Sequence, residues 1–373
     1  MSLAKLPFGN LKSGMLTGLL LILLPAAATA RAGEALRPSL AEMSQQIAKL
    51  LKGRDEDTIA VGAFTGPARV RSSSGPGIQQ ILIEELLKRG IRVQNRAKLE
   101  IKGDYFDVID RDSQLLALRL KASVLDRQGE VVVVLDNKTI GDRDAVAQVL
   151  GVTKVDLGEG ITPEKESRAI KERLENPRVD IGGTIVQADR TSPFAMELQV
   201  KDRAGRFLPR NPLQQDGFAF VPINRGEVFA VNLINRSDND AAVELTLDGL
   251  SMFAFNQNRN FRHIVVPKRS SFLVKGWYRN NLFSEEFLIT EYGRSAAAEL
   301  LASQDQIGTI TATFAAAWDP LESPPRDEST KFRDPFNPAV GRGRPVATPF
   351  REVKKQFGRV RDVVSIRYKK PTQ

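Results

Sequence analysis

Two kinds of hydrophobic periodicity divide the chain, and the switch between them falls near residue 178. Leu40, Met43, Ile47, Leu50 and Leu51 lie on one face of a helix that follows Pro38 and opens with a capping box, Ser39 and Glu42. Gly53 ends it. Thr58 to Phe64 reads as a strand. It runs into the polar, glycine-rich stretch from Gly66 to Gly77, within which Ser72–Gly77 is expected to be a flexible loop. A second helix carries Ile78, Ile81, Leu82 and Leu86 and stops at Gly90. Ile91 to Val93 is a brief strand, and three more follow: Leu99–Ile109, Leu115–Leu125 and Val131–Leu135. The second places Leu116, Leu118 and Leu120 inside, with Arg119 and Lys121 outside. The third is apolar enough to be buried on both faces. Asp142 caps a short helix through Leu150, stopped by Gly151.

Thr162-Pro163-Glu164 starts a further helix in the connector, almost wholly polar except for Ala169, Ile170 and Leu174, which suits a helix that bridges domains or hugs a surface with one thin stripe. From Val179 to Trp318 the period becomes two. Short runs such as Phe194–Val200, Val228–Ile234, Ala241–Leu247, Ile264–Val266, Phe272–Val274 and Ile307–Phe314 are separated by turn clusters. Seven prolines then fall between Pro320 and Pro349, which reads as disordered linker. Alternation returns at Val364, Ile366 and Tyr368, so the C-terminus is expected to be solvated or to form an edge strand. The fold class expected is α/β plus all-β, a small α/β sandwich domain followed by a jelly-roll-like β-sandwich and a Pro-rich basic tail. Boundaries fall at 1–32 (leader), 36–155, 156–178 (connector), 179–318, 319–351 (linker) and 352–373 (tail).

The leader changes where the protein is expected to work. Lys5 and Lys12 precede the apolar run Met15–Leu24, and Ala28-Thr29-Ala30 and Ala30-Arg31-Ala32 offer cleavage sites. This is a secretory signal, and the mature chain should begin at Arg31 or Gly33, soluble and periplasmic or in the cell envelope. An uncleaved anchor is the alternative. The chain has no cysteine, so its domains must stand on burial alone, and no lipid can be attached through a thiol.

Charge matters only once located. Three positive charges (Lys5, Lys12 and Arg31) leave with the signal, taking the formal +9 to +6. Between Val340 and Gln373 ten basic residues face only Glu352 and Asp362, which is +8, so the body is near −2. Only the tail argues for an anionic partner, through Arg342, Arg344, Lys354, Lys355, Arg359 and Arg361.

Residues 40–150 resemble the family of the curli-secretion lipoprotein and related flagellar outer-membrane proteins. The likeness rests on the helix leading into Ile59–Phe64, on Gly77-Ile78-x-x-Ile81-Leu82-x-x-x-Leu86-Leu87, and on Ile101-Lys102-Gly103-Asp104-Tyr105 before a strand ending Asp126-x-x-Gly129. The family's lipid-anchor cysteine is missing, and no insertion is long enough to build a membrane pore, so secretion-channel activity does not carry over. The pattern Ile223-x-Arg225-Gly226-Glu227-x-Phe229 … Asn235-x-Ser237 … Asp248-Gly249-Leu250 … Gly276-Trp277 resembles an accessory β-sandwich of exported bacterial proteins. That resemblance implies a module and no active residues.

Candidate chemistry is sparse. His263, the single histidine, reads as a partly exposed strand-end residue, and one histidine without cysteine argues against ordinary zinc and copper sites. Ser72–Gly77 lacks the ending of a phosphate loop. Asp104, Asp107, Asp110 and Asp112 do not share a face and read as a strand and a turn. Asn235–Asp240 reads as a hairpin turn with a weak claim on Ca²⁺. Trp277, Tyr278 and Arg279, after Gly276 and before Asn280-Asn281, read as a contact loop for carbohydrate or protein. No cofactor or metal is expected, nor nucleic acid, and membrane only by peripheral contact or the uncleaved anchor. The expected function is a non-enzymatic envelope binding or assembly protein, with an envelope protein or anionic polymer as partner. A carboxylate-dependent hydrolase of envelope glycans and a ligand-free accessory subunit are the alternatives.

Overall fold

A computed structural model describes residues 32–158, 160–256, 261–290, 308–328, 345–347, 353 and 355–368. Residues 1–31, Arg342, Arg344 and Lys354 lie outside the described residues, as does most of the Pro-rich segment.

The first module holds α1 (Ala32–Lys52), β1 (Thr58–Thr65), α2 (Gly75–Lys88), β2 (Arg92–Val93), β3 (Glu100–Ile109), β4 (Leu116–Leu125), β5 (Val131–Val134), β6 (Lys138–Ile140) and α3 (Arg143–Val149), and α4 (Pro163–Glu175) follows. Its sheet runs β2-β1-β3-β4-β5, with β6 also on β4. β1 is parallel to β2 and β3, while β3, β4 and β5 are antiparallel. Alternation in β4 works as written: Leu116, Leu118, Leu120 and Val124 enter the core with Leu40, Met43, Ile78 and Leu82 of the helices. Each fully buried leucine contributes roughly 1.5–3 kcal/mol.

Two expectations need correction here. α1 starts well before the capping box and takes Pro38 into its interior, because Leu36 extends the stripe Leu40, Met43, Ile47 back by a turn and is buried. Burial of that turn outweighs the hydrogen bond that proline cannot make. β5 is an edge strand, not a doubly buried one, with Val131 and Val134 58% and 64% exposed. α4 takes the second of its two expected forms and hugs a surface, since Ile170 and Leu174 join the first core while the Ser167 hydroxyl accepts from the Leu116 amide at 2.6 Å.

The second module is a β-sandwich. One sheet is built from β7 (Asp180–Gly182), β8 (Ile185–Gln187), β9 (Phe194–Lys201), β10 (Phe207–Pro209), β13 (Val228–Asn235), β17 (Ser270–Val274), β18 (Gly276–Tyr278), β19 (Phe283–Leu288) and β21 (Pro345–Ala347). The other is built from β11 (Leu213–Gln215), β12 (Phe218–Phe220), β14 (Asp240–Leu247), β15 (Leu250–Ser251), β16 (Ile264–Val266), β20 (Thr309–Trp318) and β22 (Gln356–Arg367). Rings meet between the sheets: Phe194 stacks on Phe314 with centroids 5.1 Å apart.

The C-terminal segment overturns the expected tail. β22 is neither solvated nor an edge. It lies inside its sheet, antiparallel to β20 from Thr309↔Arg367 to Trp318↔Gln356 and parallel to β12 at Ala219↔Ile366. β20 explains the placement. Ile310, Ala312 and Phe314 face the sandwich core, while Thr309, Thr311 and Thr313 on the opposite face are also buried. A sheet buried on both faces needs a cover, and the first module supplies it. β22 accordingly gives Val364 and Ile366 to the sandwich core and Val360 and Val363 to the first core. Nor is 319–351 wholly irregular, because Pro345–Ala347 pairs with Phe283–Glu285.

Ending the chain after Glu352 should therefore abolish cooperative melting in both modules, read by near-ultraviolet circular dichroism. A cooperative transition surviving in either one would contradict this placement of β22.

Candidate functional site

Sequence-chosen residues are dispersed. Trp277 and Tyr278 form buried strand β18, not a contact loop. Trp277 packs edge-on against Phe287 at 5.3 Å, and Arg279 pairs with Glu285 at 3.3 Å. Gly276 is required by packing, because a side chain there would overlap the Glu285 backbone. The described basic residues of the supposed tail are also committed. Lys355 bridges Asp240 (3.0 Å) and Asp319 (2.8 Å), Arg359 pairs with Asp156, and Arg361 pairs with Asp327. They are internal ties, not an anionic-surface arm. His263 is buried against the Phe357 ring at 5.2 Å rather than partly exposed. Asp110 accepts from the Ser113 amide and hydroxyl, and Asn235 from the Ser237 amide and hydroxyl, so both acidic segments are turns.

What the fold brings together instead is the seam between modules. The supposed flexible loop around Ser72–Gly77 is its centre. The Ser72 hydroxyl donates to the Val149 carbonyl at 2.5 Å and lies 3.1 Å from the Tyr105 hydroxyl, which accepts from the Ser74 amide at 3.0 Å. Burial pushes the Tyr105 phenol up to about 12, so it stays neutral. From the second module comes the β14–β15 hairpin with Asp248-Gly249 at its tip, both at positive φ. That is the backbone a two-residue turn of the favoured twist requires. Gly249 lies so close to Ser74 and Gly77 that a side chain would not fit. The Asp248 carboxylate accepts from Ser73 (3.1 Å), Thr309 (3.0 Å), Gly308 (2.5 Å) and the Tyr368 hydroxyl. Nearby, the Arg367 guanidinium donates to the Val70 carbonyl at 2.6 Å and stacks on Phe218 at 4.2 Å. Burial, with Arg71 adding like charge, pulls it down to about 9.

Two cavities open along the seam. One, about 120 Å³, runs between α2 and the β14–β15 hairpin. Arg37, Ile81 and Glu84 stand on one wall, and Glu244, Ser251 and Arg262 on the other. Arg37 is held by Glu84 at 2.9 Å and Glu85 at 2.6 Å. The second, about 170 Å³, is charged. Lys154, nearly buried, bridges Asp144 and Glu166, and Arg143 binds Glu166 at 2.7 Å. Burial raises Asp144, while Lys154 and Arg143 overcome the same penalty on Glu166 and hold it below the usual range. Asp142, capping α3 through the Ala145 amide at 2.8 Å, is pushed up to about 6 by burial and by Asp144. These carboxylates do not make a cation site, because basic side chains and the helix cap already occupy them. Among the described residues no three potential ligands are gathered to hold a metal, and no helix is long and apolar enough to cross a membrane.

Side chain chemistry thus defines a two-module protein whose buried ionisable groups meet where its own C-terminal strand closes both cores. No family model, curated protein or solved structure matches the chain. A sequence signal for one part of the seam did exist, in Asp248-Gly249 between alternating strands.

Truncating Lys154 to alanine leaves the buried Asp144 carboxylate without its ion-pair partner, while Glu166 keeps Arg143, and should cost about 3–5 kcal/mol of stability in denaturant titration. A loss under about 1 kcal/mol would mean that water reaches Asp144.

Proposed function

We propose that this chain is an exported, non-enzymatic protein of the cell envelope that binds or assembles with another envelope protein. The observation that carries this reading is the use made of its ionisable side chains. Asp248 meets Ser73, Asp362 meets the Asp156 amide and Arg367 meets the Val70 carbonyl across the seam, where they fix one module against the other, while Asp144, Lys154 and Glu166 pair among themselves beside it. Groups spent on rigid coupling suit a scaffold that presents surfaces. Supporting it are the secretory leader, the resemblance of the first module to extracytoplasmic assembly proteins, and the likeness of the second to an accessory sandwich. The seam cleft beside α2 is where a partner side chain would seat. Its volume of about 120 Å³ suits one side chain better than a glycan strand.

Export is tested by N-terminal mass spectrometry of the native protein, which should begin at Arg31 or Gly33. An intact Met1 would favour the anchored form. Binding is tested by crosslinking capture from envelope extract, comparing the protein with a variant whose cleft is filled, Ser251→Trp. A partner held by the first and lost by the second supports the reading. Equal capture by both rejects the cleft, and glycan hydrolysis lost on Glu244→Gln would favour the hydrolase.

A further inference from the structure

Asp362 is 1% exposed in the middle of β22, where three segments meet. One is the stretch leaving the first module, whose Lys154 exchanges both backbone hydrogen bonds with Val363 at 3.0 Å and whose Asp156 amide donates to the Asp362 carboxyl at 2.8 Å. Another is the segment leading into β9, whose Ser192 hydroxyl meets the other carboxyl oxygen. The third is β22 itself.

Proton counting at Ser192 is decisive. Its oxygen accepts from the Phe194 amide at 3.0 Å, and it lies 3.0 Å from the Phe194 carbonyl, which can only accept. A hydroxyl has a single proton and two lone pairs. If Asp362 is ionised, that one proton is claimed by two acceptors, the Phe194 carbonyl and the carboxylate, and one buried acceptor goes without. If Asp362 is a neutral acid, its own O–H donates to Ser192, the Ser192 O–H donates to the Phe194 carbonyl, and the Asp156 amide still reaches the acid's carbonyl oxygen. Every group is then satisfied.

We propose that Asp362 is a buried proton-binding residue that tightens the seam between the modules when the surroundings become mildly acidic. Its charged neighbours do not remove the need for the proton. Asp156, on the segment from the first module, raises its proton affinity, Lys154 on the same segment lowers it, and Arg173 of α4 acts on it from further away. Burial is the largest influence and, with Asp156, lifts the carboxyl to about 6. Folding then takes up a proton between the unfolded value near 4 and the folded value near 6. Stability contributed by this residue therefore falls as pH rises through that window, and the cost of the buried charge is present in full above it.

The test compares the wild-type protein with Asp362→Asn, whose amide accepts from Asp156 and donates to Ser192 as the neutral acid would. Denaturant titrations at pH 5 and pH 8 cancel contributions shared by both proteins, including that of Asp142. Relative to the variant, the wild-type folding constant should fall about tenfold between these pH values, following the shift in proton affinity. Carboxyl-carbon NMR of the wild type gives a second readout that does not depend on the variant folding. Asp362 titrating near 6 supports the proposal. Titration below 4, or the same pH dependence in both proteins, overturns it.

Discussion

The ladder between β20 and β22 is the contact on which the rest of the molecule depends, because its two faces serve different cores. Val364 and Ile366 point into the sandwich, and Val363 closes the helix-covered sheet of the first module. All three are fully buried, and each contributes roughly 1.5–3 kcal/mol. A sheet flanked by apolar neighbours on one side and by another module on the other cannot offer polar side chains to water. Its outer face therefore carries Thr309, Thr311 and Ser365, small residues that satisfy themselves locally, as in the 2.8 Å contact between the Thr311 and Ser365 hydroxyls.

From that geometry the electrostatics follow. Basic side chains on and near β22 are largely withdrawn from solvent and pair with carboxylates, some across the seam and some within one module. Arg359 and Arg361 find Asp156 and Asp327, Lys355 finds Asp240 and Asp319, and Lys154 finds Asp144 and Glu166. Arg367 relies on a carbonyl and an aromatic face, and Asp362 on the Asp156 amide and the Ser192 hydroxyl. Such groups add little net stability over apolar residues of the same shape, but each is costly to leave unpaired. They fix one relative placement of the modules, and the cleft between α2 and the β14–β15 hairpin keeps its shape as a result.

Local signals in the sequence were readable where local physics decides. The stripes of α1 and α2, the Asp142 and Thr162 caps and the alternation of β4 all stand in the structure. Failures cluster where distant contacts decide. Val364, Ile366 and Tyr368 alternate as a strand should, but nothing near them reveals β20 as a neighbour, since residues 319–355 intervene between paired Trp318 and Gln356. Trp277 and Tyr278 looked like a loop because Arg279-Asn280-Asn281 follows, yet that polar run is the turn that lets β18 pair with β19. The four valines of β5 cannot tell an edge from a centre, because their exposure depends on which strands lie beyond them. Most of the seam was hidden for a similar reason: Ser73 and Asp248 are far apart in sequence and are brought together only by the tertiary fold.

If β22 fuses the two cores, they must unfold together. Differential scanning calorimetry of the intact protein should show one transition whose calorimetric and van't Hoff enthalpies agree. Two resolved transitions, one for each module, would contradict the account.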